Sequence, residues 1–182
     1  MYKPTETNLF GEASWTPTQM ATLVHQEMEK NGHWKIELQP DNGLTGYYLK
    51  NNNNIEKLNC NGIYYIFKKQ GIEIIPLYIG ECSSKTNTID NRIGKYIKWN
   101  KGKPRGKGKG RPIHQDYHSA AIKLRERGIS NVEHDDVYVM WVNADFIYEV
   151  LKEAYQDKRH MKLVDIEKKL IKKIRPIGNC NV

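Results

Sequence analysis

The chain has 182 residues, of which 38% are hydrophobic and 27% are charged, and its formal net charge is +8. This length suits one domain with a buried core, and the basic balance favours a nucleic-acid partner. No hydrophobic run is long enough to span a membrane and the first four residues, MYKP, lack a signal-peptide core, so we expect a cytoplasmic protein. The cysteines, Cys60, Cys82 and Cys180, are odd in number and widely spaced, which favours a reducing compartment over a disulfide framework or a zinc knuckle.

The N-terminal third predicts a helix followed by one or two strands. Thr16 and Gln19 form a capping box with proline at the first helical position, and Gly32 offers a C-terminal stop. Residues 34–48 then have strand character. We interpret residues 1–60 as an N-terminal extension that serves DNA recognition or oligomer contacts.

Two strands joined by a tight turn are predicted next. Residues 62–68, GIYYIFK, and residues 74–79, IIPLYI, are rich in aromatic and β-branched side chains, and residues 69–71 suit a hairpin turn. Side chains alternate between the faces of a sheet, so Tyr64 and Tyr78 can converge on one patch of an antiparallel pair. Ordinary strand tyrosines are the alternative interpretation.

A helix that carries an arginine follows. Four apolar residues recur at the spacing of one buried face, Ile89, Ile93, Tyr96 and Ile97. Arg92 lies beside that face. Arginine is seldom buried without a partner, so we expect Arg92 to meet an anion, and its planar guanidinium matches the geometry of phosphate. A side chain that extends along the helix edge into solvent is the alternative.

Residues 98–112 are predicted to be a basic loop, and they contain nearly all of the excess positive charge. Its glycines and proline predict a loop rather than a helix. We expect it to contact the phosphate backbone rather than base edges, and to bind less tightly as salt rises; a merely solvated loop is the alternative. The candidate nucleic-acid-binding residues are Lys98, Lys101, Lys103, Arg105, Lys107, Lys109 and Arg111.

The stretch after the loop predicts two helices around a third strand. Residues 115–128 and 143–156 have helical character, and residues 136–142, DVYVMWV, read as a central strand. His114 and His118 have helical spacing for a metal site, but no third ligand is evident, so a zinc site is the weaker interpretation.

The last helix carries a glutamate inside an apolar stripe. The stripe consists of Leu163, Ile166, Leu170, Ile171 and Ile174. Glu167 lies in its middle, where a carboxylate is costly unless it is paired in a salt bridge or binds a metal. Asp165 points roughly the other way, which predicts one acidic ligand and one metal ion. Glu167 to Lys169 also spells ExK, a motif that needs both charged side chains on one face of a strand, whereas the apolar spacing here indicates a helix.

Taken in order, these segments resemble the GIY-YIG nucleases over residues 61–179. The markers are GIYYI, LYIG, Arg92, Glu167, Pro176 and Asn179. The resemblance implies an α/β (α+β) domain in which a small three-stranded antiparallel sheet is flanked by helices. It assigns residues 61–182 to the nuclease domain and implies cleavage of nucleic-acid phosphodiesters with one Mg²⁺ or Mn²⁺ ion per active site.

The resemblance also implies roles for individual residues. Tyr64 would be the general base on the attacking water, and Tyr78 would position the water or the scissile phosphate. Arg92 would stabilise the phosphoryl transition state, Glu167 would hold the metal, and Asn179 would support the site. A tyrosine has a reference pKa of about 10, so we expect the cation and Arg92 to favour the phenolate.

The chain departs from the family pattern at two points, the position of Arg92 and the identity of Tyr96. Arg92 follows Tyr78 by 14 positions, a wider gap than the family pattern. Tyr96 occupies the position where many homing-type members carry histidine, and a tyrosine there is similar to the repair-type members. Packing in the core is the alternative role of Tyr96. His118 is similar to the histidine before the second helix of phage homing nucleases and is a further candidate to line the site.

These features predict a sequence-specific DNA endonuclease, restriction-like or phage-type, that cleaves both strands. A structure-specific nicking nuclease of the repair type is the alternative suggested by Tyr96. A non-catalytic DNA-binding module that keeps the basic loop is a third. Since one site cuts one strand, we expect a homo-oligomer on DNA.

Overall fold

The structure is a computed structural model that describes residues 6–7, 13–39, 46–52, 54–56, 58–83, 87–101, 118–154 and 161–179. In chain order these residues form β1 (Glu6–Thr7), β2 (Ala13–Ser14), α1 (Pro17–Asn31), β3 (Trp34–Leu38), β4 (Tyr47–Asn51), β5 (Asn54–Glu56), β6 (Gly62–Gln70), β7 (Glu73–Cys82), α2 (Ile89–Asn100), α3 (Ser119–Glu126), β8 (Val137–Asn143), α4 (Ala144–Ala154), α5 (Leu163–Ile174) and a 3-10 turn (Ile177–Asn179).

The fold is α+β, and its main sheet is antiparallel with the strand order β5-β4-β3-β8-β6-β7. Five of these strands have five residues or more, and β5 has three. The expected sheet of three strands is therefore wrong. The N-terminal strands β3, β4 and β5 extend the same sheet. They join it where Trp34 and Lys35 of β3 pair with Val139 and Tyr138 of β8.

The predicted hairpin is present as β6 and β7. Gly71 begins its turn with a φ of 62°, a left-handed conformation that favours glycine. The register pairs Ile66 with Tyr78 and Tyr64 with Gly80. Directly paired residues share a face, and so do residues two apart on one strand. Tyr78 therefore lies on the same side of the sheet as Ile66 and Tyr64, as the alternation predicted.

Helices cover both faces of the sheet. Ile63 and Tyr65 pack in a core with α1, α4 and α5, whereas Tyr64 and Ile66 pack in a second core with α2 and α3. Because β6 has a core on each side, its first six residues are all buried. In the described ranges, no helix has both the length and the apolar character that crossing a membrane requires.

The helices begin and end close to the predicted positions. The capping box is formed, with the Gln19 N–H donating to the Thr16 hydroxyl oxygen over 3.2 Å. Helix α3 begins one residue after His118, which caps it, and residues 115–117 lie outside the described ranges. Glu167 lies within α5, so the ExK reading that requires a strand does not apply.

Candidate active site

The free edge of β7 holds two of the predicted site residues. This strand is the last in the sheet, so its outward backbone groups are open to side chains. The Ile79 N–H donates to Asn179 Oδ1 over 2.7 Å, and Asn179 Nδ2 donates to the Ile79 carbonyl over 2.9 Å. Further along, the Glu81 N–H donates to the Glu167 carboxylate. Asn179 and Glu167 are thus fixed along one edge by the backbone of the YIG strand.

Tyr64 and Tyr78 face each other beside this edge. Their ring centroids are 6.1 Å apart, and Tyr64 is 1% exposed. A Cβ atom on Gly80 would lie 2.5 Å from the Tyr64 hydroxyl oxygen, closer than real contacts allow. The glycine that ends the YIG motif therefore makes room for the Tyr64 phenol.

Arg92 enters the site from α2. Burial raises the pKa of the Cys82 thiol to about 12, and the Arg92 guanidinium, which hydrogen-bonds to that thiol, acts to lower it. The positive charge of Arg92 also acts to lower the pKa of Tyr64, Tyr78 and Glu167. Four predicted site residues from β6, β7, α2 and α5 are therefore close enough to interact electrostatically.

Glu167 has a pKa raised to about 7. Burial is the main cause and the nearby Glu81 carboxylate is the second, while the Glu81 N–H, Arg92 and Lys168 act in the opposite direction. A carboxylate held mainly by a salt bridge would have a lowered pKa instead. The surroundings of Glu167 thus leave its negative charge under-compensated, which suits a residue that receives a cation.

The protein's own groups keep the Tyr64 phenol protonated at neutral pH. Burial raises its pKa well above the usual value, Tyr78, Cys82 and Glu167 raise it further, and the positive charge of Arg92 acts to lower it. Burial also raises the pKa of Tyr78. The expectation that Arg92 would favour the phenolate holds in sign, but burial outweighs it. A cation held by Glu167 would act in the same direction as Arg92.

His118 and Tyr96 stand behind Tyr78. The His118 ring meets the Tyr78 ring edge-to-face at 4.8 Å and the Tyr96 ring at 5.4 Å. Burial, together with the charges of Arg92 and Lys95, lowers the pKa of His118 to about 4. Tyr96 is 0% exposed. His118 therefore contacts the site as a neutral ring, and Tyr96 packs in the core behind it.

The predicted loop over residues 98–112 is wrong at its start, because residues 98–100 form the last turn of α2, and the structure describes the first two of its candidate residues. Lys98 lies over the Trp99 ring at 5.8 Å, and Lys101 Nζ lies 4.0 Å from a Glu133 carboxylate oxygen. The other five candidates and His114 lie outside the described residues, namely Lys103, Arg105, Lys107, Lys109 and Arg111.

Glu81 is a residue of the site that the sequence argument did not select. It follows the YIG glycine directly and pairs with Ile63, so its side chain lies on the α5 face of the sheet. Its Oε2 atom is buried and has no hydrogen-bond partner among the described residues. A charged residue inside an otherwise apolar strand was the available signal.

The donor set fits a hard divalent cation. In the described residues, no three histidine, cysteine, aspartate or glutamate side chains are grouped to hold a metal ion. Mg²⁺, however, is usually bound by one or two carboxylates, with water and substrate phosphate as its other ligands. Glu167, next to the unpartnered Glu81 oxygen, satisfies that requirement.

Compared with known proteins, the chain matches no protein-family model, no curated protein and no solved structure. The function is therefore inferred from the arrangement of its own residues.

Proposed function

We propose that this protein is a divalent-metal-dependent DNA endonuclease of the GIY-YIG type that hydrolyses phosphodiester bonds. One observation carries the proposal: Tyr64, Tyr78, Arg92 and Glu167, from four different elements, interact at the edge of one strand. The hairpin, the arginine helix and the glutamate helix follow each other in the order of that fold, although the sheet is wider than its three-stranded core.

The geometry supports a division of labour in phosphoryl transfer, which mainly requires positioning and charge neutralisation. Arg92 binds the non-bridging oxygens of the phosphate and neutralises the charge that develops there. Glu167 holds the divalent ion, which when bound polarises the phosphate and lowers the pKa of nearby water and hydroxyl groups. Asn179 keeps β7 in place through its two hydrogen bonds to Ile79.

Tyr64 and Tyr78 act on the nucleophile. Tyr64 orients the attacking water and accepts its proton, and Tyr78 positions the scissile phosphate. Because burial raises the pKa of Tyr64, this proton transfer requires the positive charge of the assembled site and its substrate. The bound cation and Arg92 together supply that charge.

The substrate proposed is double-stranded DNA cut at defined sequences. The formal net charge of +8 favours a polyanion. Strands β3 to β5 widen the sheet on the side away from β7 and offer a surface for sequence recognition. Cutting both strands with one site per chain requires two copies, so the proposal includes a homo-oligomer on DNA.

The direct experiment is to incubate the purified protein with phage or plasmid DNA and Mg²⁺ and to map the ends. Discrete fragments with defined ends support a site-specific endonuclease. Glu167→Gln should abolish them, and Glu126→Gln, an exposed glutamate on α3, is the matched control. Absence of cutting in every DNA form, with binding retained, would leave a DNA-binding module as the function.

A nicking nuclease of the repair type is the second candidate, favoured by Tyr96 four residues after Arg92. It predicts incision only at branches or lesions, so the same preparation should be tested on intact, branched and damaged duplexes. Cleavage restricted to the last two would replace the sequence-specific proposal.

A further inference from the structure

The Glu81 carboxylate has a buried oxygen atom, Oε2, that accepts no hydrogen bond from the described residues. A buried carboxylate oxygen without a hydrogen bond is costly, since desolvation of a charged group is not repaid. Such an oxygen either carries a proton or faces a ligand that the described residues do not provide.

The position of Glu81 beside Glu167, the residue proposed to hold the ion, favours the second possibility. The Glu81 N–H donates to the Glu167 carboxylate, which brings the two residues together across β7 and α5. One divalent ion placed between the two carboxylates would fill the empty bonding position of Glu81.

A pocket adjoins Glu81 on the α5 face of the sheet. Its volume is about 590 Å³, and it is lined also by Ser83 and by residues of α4 and the start of α5, Tyr148, Met161, Lys162, Leu163 and Val164. The tyrosines lie on the opposite face, because Tyr64 pairs with Gly80 whereas Ile63 pairs with Glu81.

We propose that Glu81 is a second carboxylate ligand of the divalent ion held by Glu167. The inference rests on the proposed function for the identity of the ion and adds a ligand to it. Two carboxylates leave four positions of an octahedral Mg²⁺ for water and for the substrate phosphate. Glu81 would then fix the ion twice, through its side chain and through the N–H that orients Glu167.

Direct metal binding tests this assignment. Mn²⁺ is titrated into the full chain without DNA, and the free ion is followed by electron paramagnetic resonance. Glu81→Gln keeps the size of the side chain and removes its charge, and Glu167→Gln does the same for the partner. Glu73→Gln is the matched control because Glu73 is an exposed glutamate of the same strand. Circular dichroism confirms that each variant is folded.

We expect one Mn²⁺ per chain, with affinity reduced about tenfold or more in Glu81→Gln and in Glu167→Gln, and unchanged in Glu73→Gln. Should Glu81→Gln fail to fold, Glu81→Asp retains the charge but withdraws the oxygens by one methylene group and should weaken Mn²⁺ binding as well. Wild-type affinity in the folded Glu81 variant overturns the inference, and so does a wild-type chain that binds no Mn²⁺ at millimolar concentration.

Cleavage assays on the same samples separate this inference from the proposed function. If the unmutated chain cuts DNA while Glu81→Gln binds Mn²⁺ normally, the nuclease activity is supported and the assignment of Glu81 as a metal ligand is wrong. If Glu81→Gln loses Mn²⁺ binding while the unmutated chain cuts no DNA, the metal site is supported and the proposed nuclease activity is wrong.

Discussion

Gly80 lies directly opposite Tyr64 in the β6–β7 pair, and a single added methyl group on Gly80 would meet the Tyr64 hydroxyl oxygen at 2.5 Å. The phenol therefore occupies the space that a side chain on the neighbouring strand would fill. The tyrosine of the GIY segment on β6 thus needs the glycine of the YIG segment on β7. This relationship makes the glycine a positioning residue for the tyrosine.

Gly80→Ala should displace the Tyr64 ring and impair cleavage more than folding. Overpacking of this kind costs about 1 to 3 kcal/mol of unfolding free energy, and a shift of about 1 Å in a reacting group can cost about a hundredfold in rate. Urea unfolding and single-turnover cleavage measure the two effects. Gly94→Ala is the control, because its Cβ would meet only the Tyr47 ring, at 3.9 Å. Wild-type cleavage by Gly80→Ala would contradict the assignment of Tyr64.

Asn179→Ala should destabilise the site edge by removing both hydrogen bonds to Ile79. We expect a loss of about 1 to 3 kcal/mol, since the Ile79 N–H and carbonyl lose their partner. Asn179→Asp keeps the acceptor for the N–H and should lose less. Urea denaturation of both variants, with exposed Asn31→Ala as the control, measures the difference. Equal stability of the two Asn179 variants would show that the acceptor contributes nothing.

The local elements of this fold follow from sequence, whereas their assembly does not. The β-branched and aromatic residues of 62–70 and 73–82 predict the hairpin, and alternation places Tyr64 and Tyr78 on one face. The pairing of Trp34 with Val139 joins segments far apart in the chain, and no local pattern indicates which strand β3 will choose. The sheet is wider than expected for this reason.

The same division applies to the site. The apolar stripe of α5 marks Glu167 because a charge inside such a stripe needs a partner. Glu81 is marked only as a charged residue inside an apolar strand, and its burial arises when α5 packs over β7. Likewise, the charge of Arg92 was predictable, but the burial of Tyr64 that outweighs it depends on the packing of α2 and β8 around the hairpin.

His118 should make folding stability depend on pH in mild acid. Its Nδ1 accepts the Ala121 N–H at the start of α3 over 3.3 Å, so the folded state requires the neutral ring. The pKa is lowered from 6.5 to about 4, so the stability from His118 is present above pH 6.5 and is lost as the pH falls toward 4.

The variant His118→Asn retains a capping side chain without the titration. Between pH 7.5 and pH 5 the wild type should lose about 2 kcal/mol more unfolding free energy than this variant. Urea unfolding of both proteins at the two pH values gives the comparison. His134→Asn, an exposed histidine, should behave like the wild type. Parallel pH profiles for the wild type and His118→Asn would exclude the role assigned to His118.

Glu167→Gln should abolish cleavage and at the same time stabilise the protein in the presence of a metal chelator. Burial and Glu81 raise the pKa of Glu167 from 4.5 to about 7, so the folded state binds a proton that the unfolded state has released. Wild-type stability therefore falls as the pH rises from 4.5 to about 7 and stays low above it, whereas the variant lacks this loss.

With allowance for the partial solvent exposure of Glu167, Glu167→Gln should exceed the wild type by about 1 to 2 kcal/mol of unfolding free energy at pH 8. Urea unfolding in chelator at pH 5 and pH 8 measures this gain, and cleavage with Mg²⁺ should fall by about a thousandfold or more because the metal ligand is lost. Adding Mn²⁺ should raise the stability of the wild type and leave the variant unchanged. A variant less stable than the wild type at pH 8 would mean that Glu167 is a structural partner of the helix rather than a group held ready for a cation.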